Sequence, residues 1–261
     1  MIILNENEWA ERQIEIHDLG KKPAETLQRV ARFYIDSGYS LPDVRKKLDI
    51  FLKQCDPLIS LPKWSDTLDN VVTRAKKRCA VNIDGIPITE TEMQKIDDLP
   101  GKQLRRLAFT LLCLAKYWNV VNPDGDYWVN NKDSEIMNMA NISTSLKRQS
   151  LLYWHLKERE MIKFSKKVDN TNVKVCFADD NIPILHITDF RNLGFQYLMY
   201  HGEPYFECVN CGIVTKESNP DRRGRKQKYC KECAIKIRLQ QSINSVMKGR
   251  RYQDFENVGN N

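Results

Sequence analysis

No stretch of the 261 residues approaches the roughly 20 consecutive apolar side chains that a membrane-spanning helix needs. Residues 1–20 lack the basic and apolar blocks of a leader and carry Glu6, Glu8, Glu11 and Glu15 instead, so neither a signal nor a transit peptide is expected. The predicted compartment is therefore the cytoplasm. Internal repeats and low-complexity blocks are missing. So are G-x-x-x-x-G-K-[ST], G-x-G-x-x-G and H-E-x-x-H, the short motifs that cradle phosphates or hold a catalytic zinc. The four histidines, His17, His155, His186 and His201, share no metal-ligand spacing. Carboxylates come as Asp97-Asp98, Asp124, Asp126 and Asp179-Asp180, in turns and helix ends that explain them better than a metal site does. No set of catalytic roles can be assembled, and an enzyme is not expected.

What is present is charge, unevenly placed. Lys and Arg number 41 against 34 Asp and Glu, a formal net charge of +7. Residues 1–100 sum to −2, residues 101–204 to +3 and residues 205–261 to +6. A localised basic excess is the electrostatic footprint of a polyanion binder, whereas a uniform one speaks only to solubility. An apolar fraction of 41% suffices for cores, and the length allows one to three compact units.

Periodicity predicts an α+β, mainly α chain. Residues 1–20 read as a polar tail and 21–100 as a helical module. In that module Pro23 opens a helix that Gly38 ends, and Ser40 caps a second over Leu41–Gln54. The inward face of the second is expected to be Val44, Leu48, Ile50, Phe51 and Leu52. A third helix covers about Trp64–Arg78, and Thr89 with Glu92 forms a capping box. Residues 101–182 run helix (Lys102–Trp118), short strand (Tyr127–Val129), helix (Asp133–Ala140), tight turn, helix (Thr144–Glu160, with Ser143 as N-cap) and hairpin. The hairpin strands are Met161–Lys166 and Asn172–Phe177, with Ile162, Phe164, Val173, Val175 and Phe177 inward. That order is the order of a winged helix-turn-helix. Residues 183–204 connect it, through a strand and a helix interrupted near Gly194, to a zinc module at 205–249 and a tail at 250–261.

Eight cysteines divide into two kinds. Cys55, Cys79, Cys113 and Cys176 are isolated in apolar or helical stretches and read as small buried hydrophobes. Cys208, Cys211, Cys230 and Cys233 form C-x2-C-x18-C-x2-C. Two thiolates two residues apart on a tight turn bind one cation together, and four make the tetrahedral sulfur shell that Zn²⁺ prefers. With all four positions taken, one structural zinc is expected in a zinc-ribbon or treble-clef-like module. The stretch beyond Cys233 reads as an amphipathic helix with Ile235, Leu239, Ile243 and Val246 along one side.

Candidate contacts to DNA lie in two places. The first turns of the helix after Ser143 supply Ser145, Lys147, Arg148 and Gln149, where Arg and Gln suit guanine and adenine edges. Its second half, with Leu151, Leu152, Trp154 and Leu156, is expected to dock inward. The hairpin adds Lys166 and Lys167, and the stretch between the cysteine pairs adds Arg222, Arg223, Arg225, Lys226 and Lys228 for phosphate contact.

Two resemblances follow from these residues. Ala31–Ser40, Asp43–Phe51, Cys55-Asp56-Pro57 and Trp64–Lys76 together resemble the small helical modules found after primase cores in phage and plasmid proteins. No primase catalytic core accompanies them, so the likeness implies a replication context and not primer synthesis. The whole arrangement is similar to winged-helix plus C-terminal zinc-ribbon proteins encoded by phages and mobile elements of low-GC Gram-positive bacteria. That likeness implies DNA replication or transcription regulation. The expectation is thus a non-enzymatic DNA-binding protein, with residues 21–100 available to a protein partner. Its alternatives are a protein–protein adaptor of a host enzyme with a purely structural zinc, and a metal-dependent nuclease.

Overall fold

The computed structural model describes residues 2–166, 172–218 and 226–258, with the backbone alone over 246–258. The chain is α+β and mainly helical, and it divides into two compact units. The first is Met1–Ile88 with Val120–Asn122 and Pro183–Phe190; the second is Thr89–Asn119 with Pro123–Ile182 and Arg191–Asn261.

Four helices build the first unit: α1 (Glu6–Ile16), α2 (Pro23–Asp36), α3 (Leu41–Cys55) and α4 (Leu61–Ala75). Local chemistry sets their ends. The Asn5 side chain caps α1, Pro23 opens α2, and Ser40 accepts from the Asp43 amide at the start of α3. Gly38, at φ +86, supplies the left-handed turn after α2. Their facing stripes pack Ala10, Leu27, Val30, Leu48, Phe51, Leu68 and Val71 into one core. Residues 1–20, expected as a tail, are in fact anchored there. Ala10 is fully buried, and the Glu6 carboxylate takes the Arg32 fork at 2.8 and 2.7 Å. Arg29 and Arg78 lie 3.5 and 3.6 Å from the same carboxylate. Ile50, expected inward, faces solvent. Strand β1 (Ile86–Thr89) pairs with β5 (Pro183–Ile187), a partnership between segments too far apart in sequence to be anticipated.

In the second unit the Thr89–Glu92 capping box opens α5 (Glu90–Asp97) as expected. Helix α6 (Lys102–Val121) is buried at every residue from Leu107 to Tyr117. Within that apolar cylinder Lys116 reaches the Glu92 carboxylate at 2.8 Å. This pair joins α5 to α6 within the second unit. Then come β2 (Trp128–Val129), α7 (Asp133–Met139), α8 (Leu146–Glu158), β3 (Ile162–Phe164) and β4 (Val173–Val175). The three strands form one antiparallel sheet in the order β2–β4–β3, with Val129 opposite Val173 and Ile162 opposite Val175.

Three expectations for this segment are corrected. The N-cap of α8 is Ser145, whose side chain accepts from the Arg148 amide, and not Ser143. Leu152 and Leu156 dock inward, but Leu151 and Trp154 point to solvent. Phe164 is exposed at the end of β3, although alternation places it on the inner face. The next helix, α9 (Leu193–Tyr200), begins only at Leu193, so of the helix expected over Asp189–Tyr200 with an interruption near Gly194 the part before that point is not helical.

Candidate metal centre

Strands β6 (Tyr205–Glu207) and β7 (Val214–Lys216) form an antiparallel hairpin with Glu207 opposite Val214. Its turn is Cys208 to Ile213. The Gly212 amide donates to the Cys208 carbonyl at 2.8 Å, and the Cys208 amide to the Ile213 carbonyl at 3.0 Å. Gly212 stands at φ +72, a conformation that costs little without a Cβ. The second pair sits where α10 (Lys231–Val258) begins, with Cys230 just ahead of the first turn and Cys233 within it.

The four sulfurs lie within 4.8 Å of one another, and Cys211 Sγ is 3.9 Å from Cys230 Sγ. Four sulfurs at about 2.3 Å from a common centre define a tetrahedron with an edge of about 3.8 Å. The set fits one metal ion. Three of the cysteines are buried and Cys211 is half-buried. Polar donors aim at the sulfurs: the Cys230 amide at Cys208 Sγ (3.3 Å), the Cys233 amide at Cys230 Sγ (3.5 Å) and Asn210 Nδ2 at Cys233 Sγ (3.3 Å). Burial pushes the Cys208 thiol up, but the Cys230, Cys211 and Asn210 amides outweigh it and bring it down to about 6. Burial pushes Cys211 up to about 12 and raises Cys230 as well. A cation that draws in all four as thiolates therefore displaces protons as it binds.

The hairpin is held from behind by residues the sequence did not single out. Arg191 Nη2 donates to the Cys211 carbonyl at 2.6 Å, and Asn192 Nδ2 to the Val214 carbonyl at 2.9 Å. Asn192 Oδ1 accepts from Asn141 Nδ2 at 2.9 Å, and Asn141 Oδ1 from the Phe195 amide at 3.2 Å. Asn141 and Asn192 both occupy the left-handed region, at φ 55 and 54, which asparagine tolerates better than most side chains. Beside them Gly194 packs so closely that an added Cβ would lie 2.0 Å from the Ala140 carbonyl oxygen. This glycine is a backbone contact where a helix break was expected. The available signal was asparagine at two turns, which by itself says nothing of what it bonds.

The other candidate residues are placed as follows. Lys147 and Arg148 are exposed on α8, with Arg148 Nε 3.4 Å from Gln103 Oε1. Gln149 donates to the Thr144 carbonyl at 3.0 Å, so its amide serves the turn ahead of α8. Lys166, Lys226 and Lys228 are exposed. Lys167, Arg222, Arg223 and Arg225 lie outside the described residues, as does the Val246 side chain. Of the apolar stripe along α10, Ile235, Leu239 and Ile243 are exposed. Cys113 is buried as expected, but Cys79 and Cys176 are exposed.

Four of the six scattered carboxylates have a local side-chain partner. Asp126 pairs with Lys174 and Asp179 with Thr91. Asp97 lies 3.1 Å from His201 Nε2 and 2.5 Å from the Tyr197 hydroxyl, and Asp180 accepts from the Tyr127 hydroxyl at 3.3 Å. Among the described residues the four cysteines are the one group of three or more ligating side chains that gathers around a point. Among the described residues no helix is long and apolar enough to cross a membrane. Against known proteins, no family model matches the chain, and no curated protein or solved structure matches it either.

Proposed function

We propose that the protein is a non-enzymatic DNA-binding protein, with a winged helix over α6–β4 and one structural zinc in its C-terminal hairpin and helix. The observation that carries the reading is the charge on α8 and β3. From 146 to 166 the chain holds Lys147, Arg148, Lys157, Arg159, Lys163 and Lys166 against Glu158 and Glu160, every one exposed. A cationic excess on one helix and the adjoining strand suits phosphate contact. Support for the winged helix is the element order helix, strand, helix, helix, hairpin, with the first strand beside the last. Zinc is favoured over harder cations because all four donors are sulfur, and a closed shell gives it a structural role. By the same reading the basic residues between the cysteine pairs add phosphate contacts, and the setting is DNA replication or transcription control of the kind mobile elements encode.

The test is affinity for DNA across a salt series. Log affinity should fall linearly with log salt, and Arg222→Ala with Arg223→Ala and Arg225→Ala should flatten the slope by about 2–3 for a duplex. Absence of binding at low salt sinks the reading. One observation favours a second, a protein–protein adaptor: Ile235, Leu239 and Ile243 leave an apolar stripe uncovered along α10.

A further inference from the structure

Helix α8 turns 100° per residue, and Leu152, Tyr153 and Leu156 mark its inner side. The opposite side is led by Lys147, Leu151 and Trp154. The Trp154 side chain is 48% exposed and Leu151 47%, at the centre of the helix and not at a frayed end. Phe164, at the end of β3, is 42% exposed, and its ring centroid is 6.4 Å from that of Tyr153, which belongs to the inner side of α8. Exposed cations stand on the same two elements, Lys163 and Lys166 in and beyond β3 and Lys147 and Arg148 on α8, and of these Lys147 shares the side of α8 that carries Trp154. The outer side of α8 thus carries an exposed indole and a positive charge.

That composition discriminates between forms of nucleic acid. A duplex offers phosphates and base edges, while its flat base faces are stacked on one another and hidden. In the major groove an indole finds an apolar partner only in the thymine methyl. A single strand offers phosphates and open base faces, and every base has a face on which an aromatic ring can lie. Gln149, the α8 side chain best suited to an adenine edge, is already bonded to Thr144. Adenine-edge readout is therefore weakly provided on this helix, and face stacking is provided by Trp154.

The geometry points to single-stranded nucleic acid as the ligand of the outer side of α8, with Trp154 as the stacking platform and Lys147 on the phosphates. The inference rests on the DNA-binding reading and narrows it to one form of ligand. Deoxy and ribo strands share the recognising chemistry, phosphate and base face, and the experiment separates them.

Full-length protein is titrated by fluorescence anisotropy against a 20-nucleotide oligodeoxythymidine, an oligouridine of equal length and a mixed-sequence 20-base-pair duplex, each over a salt series. At least one single strand should bind more than about tenfold tighter than the duplex. Trp154→Ala should weaken single-strand binding roughly ten- to a hundredfold, the scale of one lost base stack. Its salt slope should stay unchanged, because no charge is removed. Trp154→Phe, which keeps a ring, should recover most of that loss, and Lys147→Ala should lower the slope by about 0.7. A preference for either strand supports the inference and identifies the source. Duplex binding as tight as single-strand binding, with Trp154→Ala neutral, overturns the inference and leaves DNA binding standing. No binding to any of the three overturns both.

Discussion

Replacing Lys116 by methionine removes one charge from the interior of the second unit while keeping an unbranched side chain of similar length. The carboxylate it leaves behind, Glu92, is 0% exposed, and Lys116 itself only 4%. The pair is closely made, with Nζ 2.8 Å from Oε1 and 2.9 Å from Oε2. Breaking a buried ion pair from one side costs about 3–5 kcal/mol, chiefly because the remaining charge has no water. Here the Thr89 and Asp179 amides still donate to the carboxylate, each at 2.8 Å, which places the cost at the lower end, about 3 kcal/mol. That is a large share of the roughly 5–15 kcal/mol that holds a typical domain together. For a unit of this size it corresponds to a Tm lower by about 6–12 °C. Circular dichroism during heating and during urea titration measures both quantities. Adding Glu92→Gln to Lys116→Met removes the stranded charge, so the double variant should be more stable than Lys116→Met alone. A cost below about 1 kcal/mol for Lys116→Met, or strictly additive losses in the double variant, would refute the reasoning.

Three further outcomes are expected. Cys230→Ser should release about one equivalent of metal, read by elemental analysis, and unfold the β6–β7 hairpin with the start of α10; an unchanged metal content defeats the four-sulfur assignment. Gly194→Ala should cost about 3 kcal/mol in thermal unfolding, the upper end of overpacking penalties, because its Cβ would meet the Ala140 carbonyl; a gain in stability, as helix propensity alone predicts, would contradict the contact. Asn192→Ala should lose about 2–3 kcal/mol through two hydrogen bonds and a left-handed backbone, and Asn192→Gly about 1 kcal/mol less, since glycine relieves the backbone alone; equal losses would remove the conformational part of the argument.

Features written into short stretches were legible in the sequence. The Thr89–Glu92 capping box, the helix starts at Pro23 and Ser40 and the paired Cys-x-x-Cys spacing each depend on residues within a few positions of one another. Side chains whose setting is decided by distant partners were not legible. Glu6 looks like one of several surface acids until Arg32, 26 positions on, is seen to fold onto it. Trp154 and Leu151 are large and apolar, and composition sends such residues inward, yet Leu152, Tyr153 and Leu156 already fill the side of α8 that docks. Phe164 has the alternation of an inward residue and pairs with Val173 in register, yet its side chain is left exposed at the end of β3. Asn141 and Asn192 carry no periodic signal at all; their bonds to each other and to the hairpin exist only once α9 is in place.

Helix α6 has a consequence beyond the energy of its one ion pair. A cylinder coated all round with leucine, alanine and phenylalanine makes much the same contacts after a rotation or a slide, so its neighbours only loosely fix its angle and height. Lys116 changes that. Glu92 is immobilised by the two amides, and the ammonium meets it at a single rotation and a single level. A shift of one turn, about 5.4 Å, would strand both charges in a dry interior. The pair works as a locating pin: it selects one alignment of α6 among many that grease alone would accept.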